Sequence, residues 1–456
     1  MSWRDSLVPV RMQRVALVAS ADSLRGMLVR VAEAGVVDFH DTDAGSDIRA
    51  PGTAALSAQE QDVTALMQSG RADLVAGEEQ LRSLSDAAVR RGDVAALAGW
   101  CPESEISALR TDLAPLGAAV VGLRSPAGLD PPTRLANRTP LRRAFAPLLR
   151  VYTTVPYADI DPTIPAGLAY VVMFGMMFGD AGHGLLLIAG ALALRSGRPK
   201  RLAGFRQLWM FVAGAGIAAT GFGVLYGEFF GPTGILPVLW LNPLDRPVTL
   251  MVTAIAVGAA LLAISYAMGT ANRWREGGLR LALYSSSGIA GATTFLGLGV
   301  ITGAVLTHEL LVLIAGIAVT GVGLVLSTIG MFAEAGGGSA GVVRSGVGVV
   351  DLVMHIGANS ISFARLAAFG MTHAALGWLI WQATTAVAGR GGVGIAVAAV
   401  VFVLGNAIAF ALEALIAGVQ ALRLEFYELF SRVFVEAGRP FTPWHIPVID
   451  ARSASC

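Results

Sequence analysis

Apolar positions change their spacing along this chain, and the change falls near residue 160. Before it, polar and apolar residues alternate in short patterns. RVALVAS (14–20) predicts a strand, and ADSLRGMLVRVAEAG (21–35) a helix with Leu24, Met27, Leu28 and Val31 on one face and Gly35 as its stop. VVDFH (36–40) predicts a second strand. Residues 56–91 are polar with modest apolar spacing, which predicts one or two arms of a short helical hairpin. DVAALAGW (93–100), a helix near 104–113 and AAVVGL (118–123) then repeat strand, helix, strand. The Pro-rich GLDPPTRLANRTPLRR (128–143) links this α/β unit to the apolar remainder of the chain.

After residue 160 the pattern becomes eight long apolar runs, at about 164–178, 181–195, 207–230, 247–270, 280–305, 309–332, 351–388 and 393–430. About 20 apolar residues cross a bilayer, so the first two are short and the last two have length to spare for tilt. The expected fold is mainly α: a polytopic membrane protein of eight transmembrane helices, the last two long and tilted, with a small N-terminal α/β domain. The expected division is 1–160 for the cytoplasmic domain with its arm at 56–91, 161–437 for the membrane domain, and 438–456 for a cytoplasmic tail.

Composition agrees with that division. Charged residues make up 14% of the chain, against about 25% in soluble domains, and the mean hydropathy is +0.64. A net charge of +1 gives no basic face for nucleic acid. The two cysteines, Cys101 and Cys456, form no disulfide framework and no metal-ligand spacing. The first apolar run is short and broken by charge, so no cleaved signal peptide is expected. Basic residues then set the orientation. Arg195, Arg198, Lys200, Arg201 and Arg206 follow the second run, Arg273, Arg275 and Arg280 the fourth, Arg344 the sixth, and Arg432 and Arg439 the eighth. The alternate loops hold only Arg246 and Arg390, which puts both termini in the cytoplasm.

Charges inside the apolar runs are the candidate chemistry. Arg365 falls about four residues from the middle of the seventh run, well over ~15 Å from either helix end and too far to snorkel. An ionisable group there costs roughly 3 kcal/mol on insertion scales. The simpler explanation is a structural pair with a carboxylate on another helix; the functional one is a fixed cation in an ion path. Glu413, Gln420, Arg423 and Tyr427 fall along one helical stripe of the eighth run, either a water-lined face or a hydrogen-bonding seam. His373 follows Arg365 by eight residues. Asp180 and His183 sit among glycines in FGMMFGDAGHGLLL (174–187), where a tight turn is the plainest reading, and Glu228 marks the outer boundary of the third run. No nucleotide-binding loop of the G-x-x-x-x-G-K-S/T kind is present, and neither a catalytic residue, a cofactor nor a metal is assigned.

Taken together, FGMMFGDAGHGLLL, GVLYGEFFG, SFARLAAFGMTHAAL and LEALIAGVQALRLEFYELFSRVFVEAGRPFTPW resemble the a/I subunit of V-type rotary ATPases, the 116 kDa subunit family. VRMQRVALVAS, LAGWCPESEISAL, DPPTRLANRTPLRRAF and VPYADIDPT resemble the same family's opening and its approach to the membrane, so the likeness runs through almost the whole chain. The resemblance implies a stator. Two long helices line aqueous half-channels against a ring of c subunits, and the cytoplasmic domain joins peripheral stalks and the ATP-hydrolysing V1/A1 sector. It implies that Arg365 in the RL motif, His373, Glu413 and Arg423 carry ion translocation, with Gln420, Ser362, Asp180, His183 and Glu228 in support. The protein itself is then a non-catalytic, multi-pass subunit of a bacterial cell membrane carrying protons. The cytoplasmic region is roughly half the length this family leads one to expect, with the hairpin most reduced.

Two other classes fit parts of the pattern. A stand-alone transporter or channel calls for an internal repeat, and no convincing one is seen. An assembly or anchoring relative without transport would fit the short cytoplasmic region.

Overall fold

The computed structural model describes residues 8–39, 54–59, 61–125, 129–135, 139–152, 154–197, 200–434 and 438–449, which fall into two compact units. The first comprises Met1–Ala136, Thr154–Tyr157 and Ala437–Cys456; the second comprises Asn137–Thr153 and Ala158–Glu436.

The first unit is α/β. Strand β1 (Met12–Ser20) alternates, burying Val15, Leu17 and Ala19, and leads into α1 (Leu24–Ala34). Helix α1 stops where Gly35 takes φ 59°, a left-handed conformation glycine reaches at little cost. The short β2 (Leu56–Ser57), α2 (Val63–Gln68), α3 (Ala72–Asp86) and β3 (Val89–Arg91) come next in the chain. Thus the stretch 56–91 holds two helical arms, α2 and α3, flanked by the short strands β2 and β3. Gly70 at φ 71° separates the two helices. Beyond them lie β4 (Val94–Pro102), α4 (Ile106–Leu113) and β5 (Ala119–Gly122). The sheet is antiparallel in the order β3-β4-β1-β5, with Leu17 opposite Leu97 and Val120. The expected strand at 36–40 reduces to one bridge, Asp38 with Trp100; His40 lies outside the described residues. Trp444 is buried with apolar residues of α1 and α3, and Arg25 on α1 grips buried Glu78 on α3 at 2.6 Å. Residues 438–449 return to this unit, where Trp444 donates from Nε1 to Gln80 and β6 (Val448–Ile449) runs parallel to β2.

The second unit is all helical: α5 (Pro140–Tyr152), α6 (Thr163–Met177), α7 (Ala181–Ser196), α8 (Trp209–Tyr226), α9 (Pro247–Tyr284), α10 (Ile289–Thr307), α11 (Leu310–Glu334), α12 (Gly338–Ser362), α13 (Ala364–Ala388) and α14 (Val393–Leu424). Among the described residues six runs are long and apolar enough to cross a membrane: 204–226, 247–284, 289–307, 310–334, 338–388 and 393–433. The expectation of eight spans is not met as stated, because α6 and α7 have only 15 and 16 residues. At 1.5 Å per residue they are about 22–24 Å long, short of a hydrocarbon core of about 30 Å. Outward-facing leucines and valines such as Leu311, Val347, Val403 and Leu415 stay exposed, as helices surrounded by lipid require.

Two boundaries differ from the sequence pattern. Residues 280–284 belong to α9, which kinks at Gly277 and Gly278 (φ 70°, ψ −164°), so the fifth run starts at Ile289. The seventh run begins at Gly338, so Arg344, expected in a loop, is helical, while Arg198 lies outside the described residues.

Close contacts between glycine and backbone set the junction of α6, α7 and α8. A Cβ on Gly223 would lie 2.1 Å from the amide nitrogen of Ala181, while one on Gly221 would meet nothing. Before α6, the buried ion pair Arg142–Asp161 (2.8 Å) and the amide of Asn272, which accepts from Ile160 N–H and donates to Val433 C=O, tie the start of α6 to α9 and to the end of the last helical run. Beside them Asp159 is fully buried.

Gly223→Ala is expected to lower the unfolding temperature of the detergent-solubilised protein by an overpacking cost of roughly 1–3 kcal/mol, with Gly221→Ala unchanged. Asp159 gives a pH signature. Burial first, then the neighbouring Glu276, pushes its carboxyl up to about 8 against an unfolded value near 4. The folded state therefore holds the extra proton between about pH 4 and pH 8, and stability falls as pH rises through that window. Melting temperatures at pH 5 and pH 8 are expected to drop more for the wild type than for Asp159→Asn.

Candidate functional site

The longest apolar run tightens at one residue, Phe363. Its backbone stays helical (φ −71°, ψ −13°), but its N–H reaches back to Ser360 C=O at 3.4 Å. The Phe363 side chain is fully buried against Gly258 of α9, where a Cβ would sit 2.1 Å from the ring. This contact anchors the step, and Arg365 comes two residues later, in the first turn of α13. Its Nε donates to Ser362 C=O at 3.2 Å and its Nη2 to Glu428 Oε1 at 2.8 Å. The Arg365 side chain is 25% exposed and that of Glu428 6%. Ser362, Arg365, Arg423, Tyr427 and Glu428 line a cavity of about 700 Å³. Two fixed cations face one carboxylate across it, so the cavity favours anions.

Glu428 reaches Arg365 because residues Glu425–Phe430 form a π turn, wider than an α turn and often found at functional positions. Counting at the α-helical period selects Tyr427, yet the structure exposes Tyr427 at 70% and buries its neighbour Glu428.

A second cluster forms where α7, α13, α14 and the loop after α8 converge. His373 Nδ1 is hydrogen-bonded to Glu413 Oε2, joining α13 to α14. The His183 and His373 rings are 5.7 Å apart, and Phe178, Phe230 and Phe410 wall them in. Asp180 caps α7 by accepting His183 N–H at 2.8 Å. The same carboxylate accepts the N–H groups of Phe230 (3.0 Å) and Gly231 (2.8 Å). Phe230 has φ 51°, an unfavourable left-handed conformation for a bulky residue, and Asp180 holds it there. Glu228 is 4% exposed and contributes its C=O to Ala181 N–H.

The structure therefore brings Arg365, Arg423 and Ser362 together in one place, and His373, Glu413, Asp180, His183 and Glu228 in another. Gln420 belongs to the same stripe, with Oε1 buried and unpartnered. Sequence reasoning passed over Glu428 and Glu425. Glu425 is fully buried with neither oxygen hydrogen-bonded, beside an apolar cavity of about 360 Å³ that Ser265 and Leu429 also line. Two glutamates within six residues at the end of an apolar helix were the available signal. Because Arg365 is partly exposed, Arg365→Ala is expected to cost on the order of 2 kcal/mol by stranding Glu428, less than the roughly 3–5 kcal/mol of a fully buried pair. Adding Glu428→Gln should return most of it, read as coupling in a double-mutant cycle of unfolding in detergent.

Residues 84–234 match the profile of the V-type ATPase 116kDa subunit family. An A-type ATP synthase subunit I of Pyrococcus horikoshii is 26% identical over 368 residues, covering 76% of this chain and 53% of the relative. That of Halobacterium salinarum is 27% identical, covering 69% and 51%. A V-type proton ATPase subunit a of Neurospora crassa is 26% identical over 214 residues, covering 41% of this chain and 24% of its own length. The chain spans about half the length of the archaeal relatives it matches. With its apolar helices, the chain is similar to the V-type ATPase 116 kDa subunit family and to these A- and V-type ATPase subunits.

Proposed function

We propose that the chain is the proton-translocating stator subunit of a V/A-type rotary ATPase, with the second unit in the membrane and the first in the cytoplasm. One observation carries the reading: Arg365 lies in a 51-residue apolar helical run and its side chain is a quarter exposed, beside a cavity it shares with Arg423. A carboxylate on a passing c-ring subunit, brought to that cavity, meets two guanidinium groups in a low-dielectric setting. The cation stabilises the ionised acid, so the acid gives up its proton there. Arginine keeps its charge throughout, which bars protons from crossing past it. The bonds to Ser362 and Glu428 use Nε and Nη2, and a guanidinium has five N–H donors, so a second acceptor can join without breaking the first pair.

The second cluster serves as the outer half-channel in this reading. With α6 and α7 counted as membrane helices, the number is eight and both ends of the second unit face the cytoplasm. The two short helices rise from that side, so their junction at Asp180 falls within the bilayer depth, and a hollow left beyond it would face the outside. His183, Glu228, His373 and Glu413 form the titratable path from that hollow toward Arg365, which lies eight residues, about 12 Å, before His373 along the helix. Partners on this reading are the c-ring, the peripheral stalk, the ATP-hydrolysing sector and membrane lipid.

The Arg365–Glu428 pair also favours a second reading, an anchoring relative in which the arginine only joins two helices. Transport separates the two. The variant is Arg365→Ala with Glu428→Gln, which avoids leaving a buried charge. Reconstituted with its ring and ATP-hydrolysing partners, it should assemble yet show no ATP-driven acidification of vesicles, whereas Glu413→Gln slows acidification without ending it. Near-normal pumping by the double variant contradicts the proposal and leaves the anchoring reading.

A further inference from the structure

The second cluster has the chemistry of a metal site as well as of a relay. A carboxylate oxygen of Asp180 and a ring nitrogen each of His183 and His373 lie within 4.8 Å of one another, and all three residues are buried. The His183 side chain is only 3% exposed, and neither of its nitrogens holds a hydrogen bond. Its Nδ1 stands 3.9 Å from Asp180 Oδ1, beyond hydrogen-bond reach, and a buried imidazole that makes no hydrogen bond is an arrangement that a bound cation relieves. Around it, Glu228 Oε2, Glu413 Oε1 and Asn406 Oδ1 are also buried without partners.

The geometry points to a binding site for one first-row divalent transition cation, with Zn²⁺ as the best fit, held by Asp180, His183 and His373. Imidazole nitrogen with carboxylate oxygen suits Zn²⁺, Cu²⁺ or Ni²⁺, whereas Mg²⁺ and Ca²⁺ call for oxygen throughout. Zinc bonds of about 2.0–2.2 Å bring ligand atoms to within about 3.5 Å, so the three groups close by on the order of 1 Å on binding. The supporting shell is already in place. Glu413 holds His373 through Nδ1, the carboxylate–histidine arrangement that orients a ligating ring. Backbone N–H groups of His183, Phe230 and Gly231 fix the Asp180 carboxylate. Two nearby carboxylates offset the charge of the cation, which an apolar pocket walled by Phe178, Phe230 and Phe410 would otherwise oppose. The site shares His183 and His373 with the proposed proton path, and metal binding is read without reference to transport.

The test uses the full chain, purified in detergent on a tag without histidine and titrated with Zn²⁺ alone. One ion should bind per chain. His183→Ala and His373→Ala should each weaken it by at least about tenfold, and Glu413→Gln by about tenfold through the loosened ring. His355→Ala should change nothing, because His355 and Asp351 form an exposed pair on α12. The zinc X-ray absorption spectrum of the wild type, which needs no variant to fold, should show two imidazoles around the metal. Absence of binding, a spectrum with fewer than two imidazoles, or binding that survives both central histidine changes and disappears with His355→Ala overturns the site.

Discussion

A guanidinium held among apolar helices is the constraint on which the second unit turns. Arg365 lies within a 51-residue apolar helical run, and a carboxylate and a cavity stand beside it. Each costs something in regular structure. The helix tightens at Phe363, and the last helical run widens into a π turn at Glu425–Phe430 so that Glu428 arrives opposite. Both departures lie where two long helices face each other. Tight pairs elsewhere, such as Gly258 under Phe363 and Gly223 against Ala181, keep the remaining helices close enough for those departures to hold their shape.

The same economy explains the second cluster. Asp180 is at once a helix cap, a clamp on the strained backbone of Phe230 and a neighbour of two histidines. A residue fixed by three backbone donors is pre-organised for whatever binds beside it, because no ordering remains to be done. That rigidity is shared by the proton-relay reading and the metal-site reading, and neither requires the cluster to rearrange by more than about an ångström.

The sequence carried much of this where a feature obeys a regular period. Alternation in 14–20 and the helical face of Leu24, Met27, Leu28 and Val31 lead directly to β1 and α1, and Gly35 ends that helix as expected. Apolar runs located the long helices, because lipid-facing sides need no polar stripe. What escaped were features that break a period. The 56–91 stretch reads as one or two helical arms by polarity; Gly70 separates α2 from α3, and the short strands β2 and β3 that flank them carry no period of their own. The stripe through Glu413, Gln420 and Arg423 extrapolates to Tyr427, and the π turn substitutes Glu428. Asp180 and His183 read as a tight turn, whereas Asp180 caps α7 and His183 lies in its first turn. Their closeness to His373, 190 residues away from His183, is a tertiary fact that no local spacing encodes.

The central claim is that the Arg365 cavity is open to water within the membrane, and accessibility tests it most directly. Ser362 lines that cavity beside Arg365, so Ser362→Cys, in a chain with Cys101 and Cys456 changed to Ser, places one thiol there. In sealed vesicles a charged, membrane-impermeant thiol reagent should label it, and Leu415→Cys on the exposed apolar face of α14 should stay unlabelled. A Ser362→Cys thiol as inert as the one at Leu415 would mean that the arginine is sealed with its glutamate, and the account would fail.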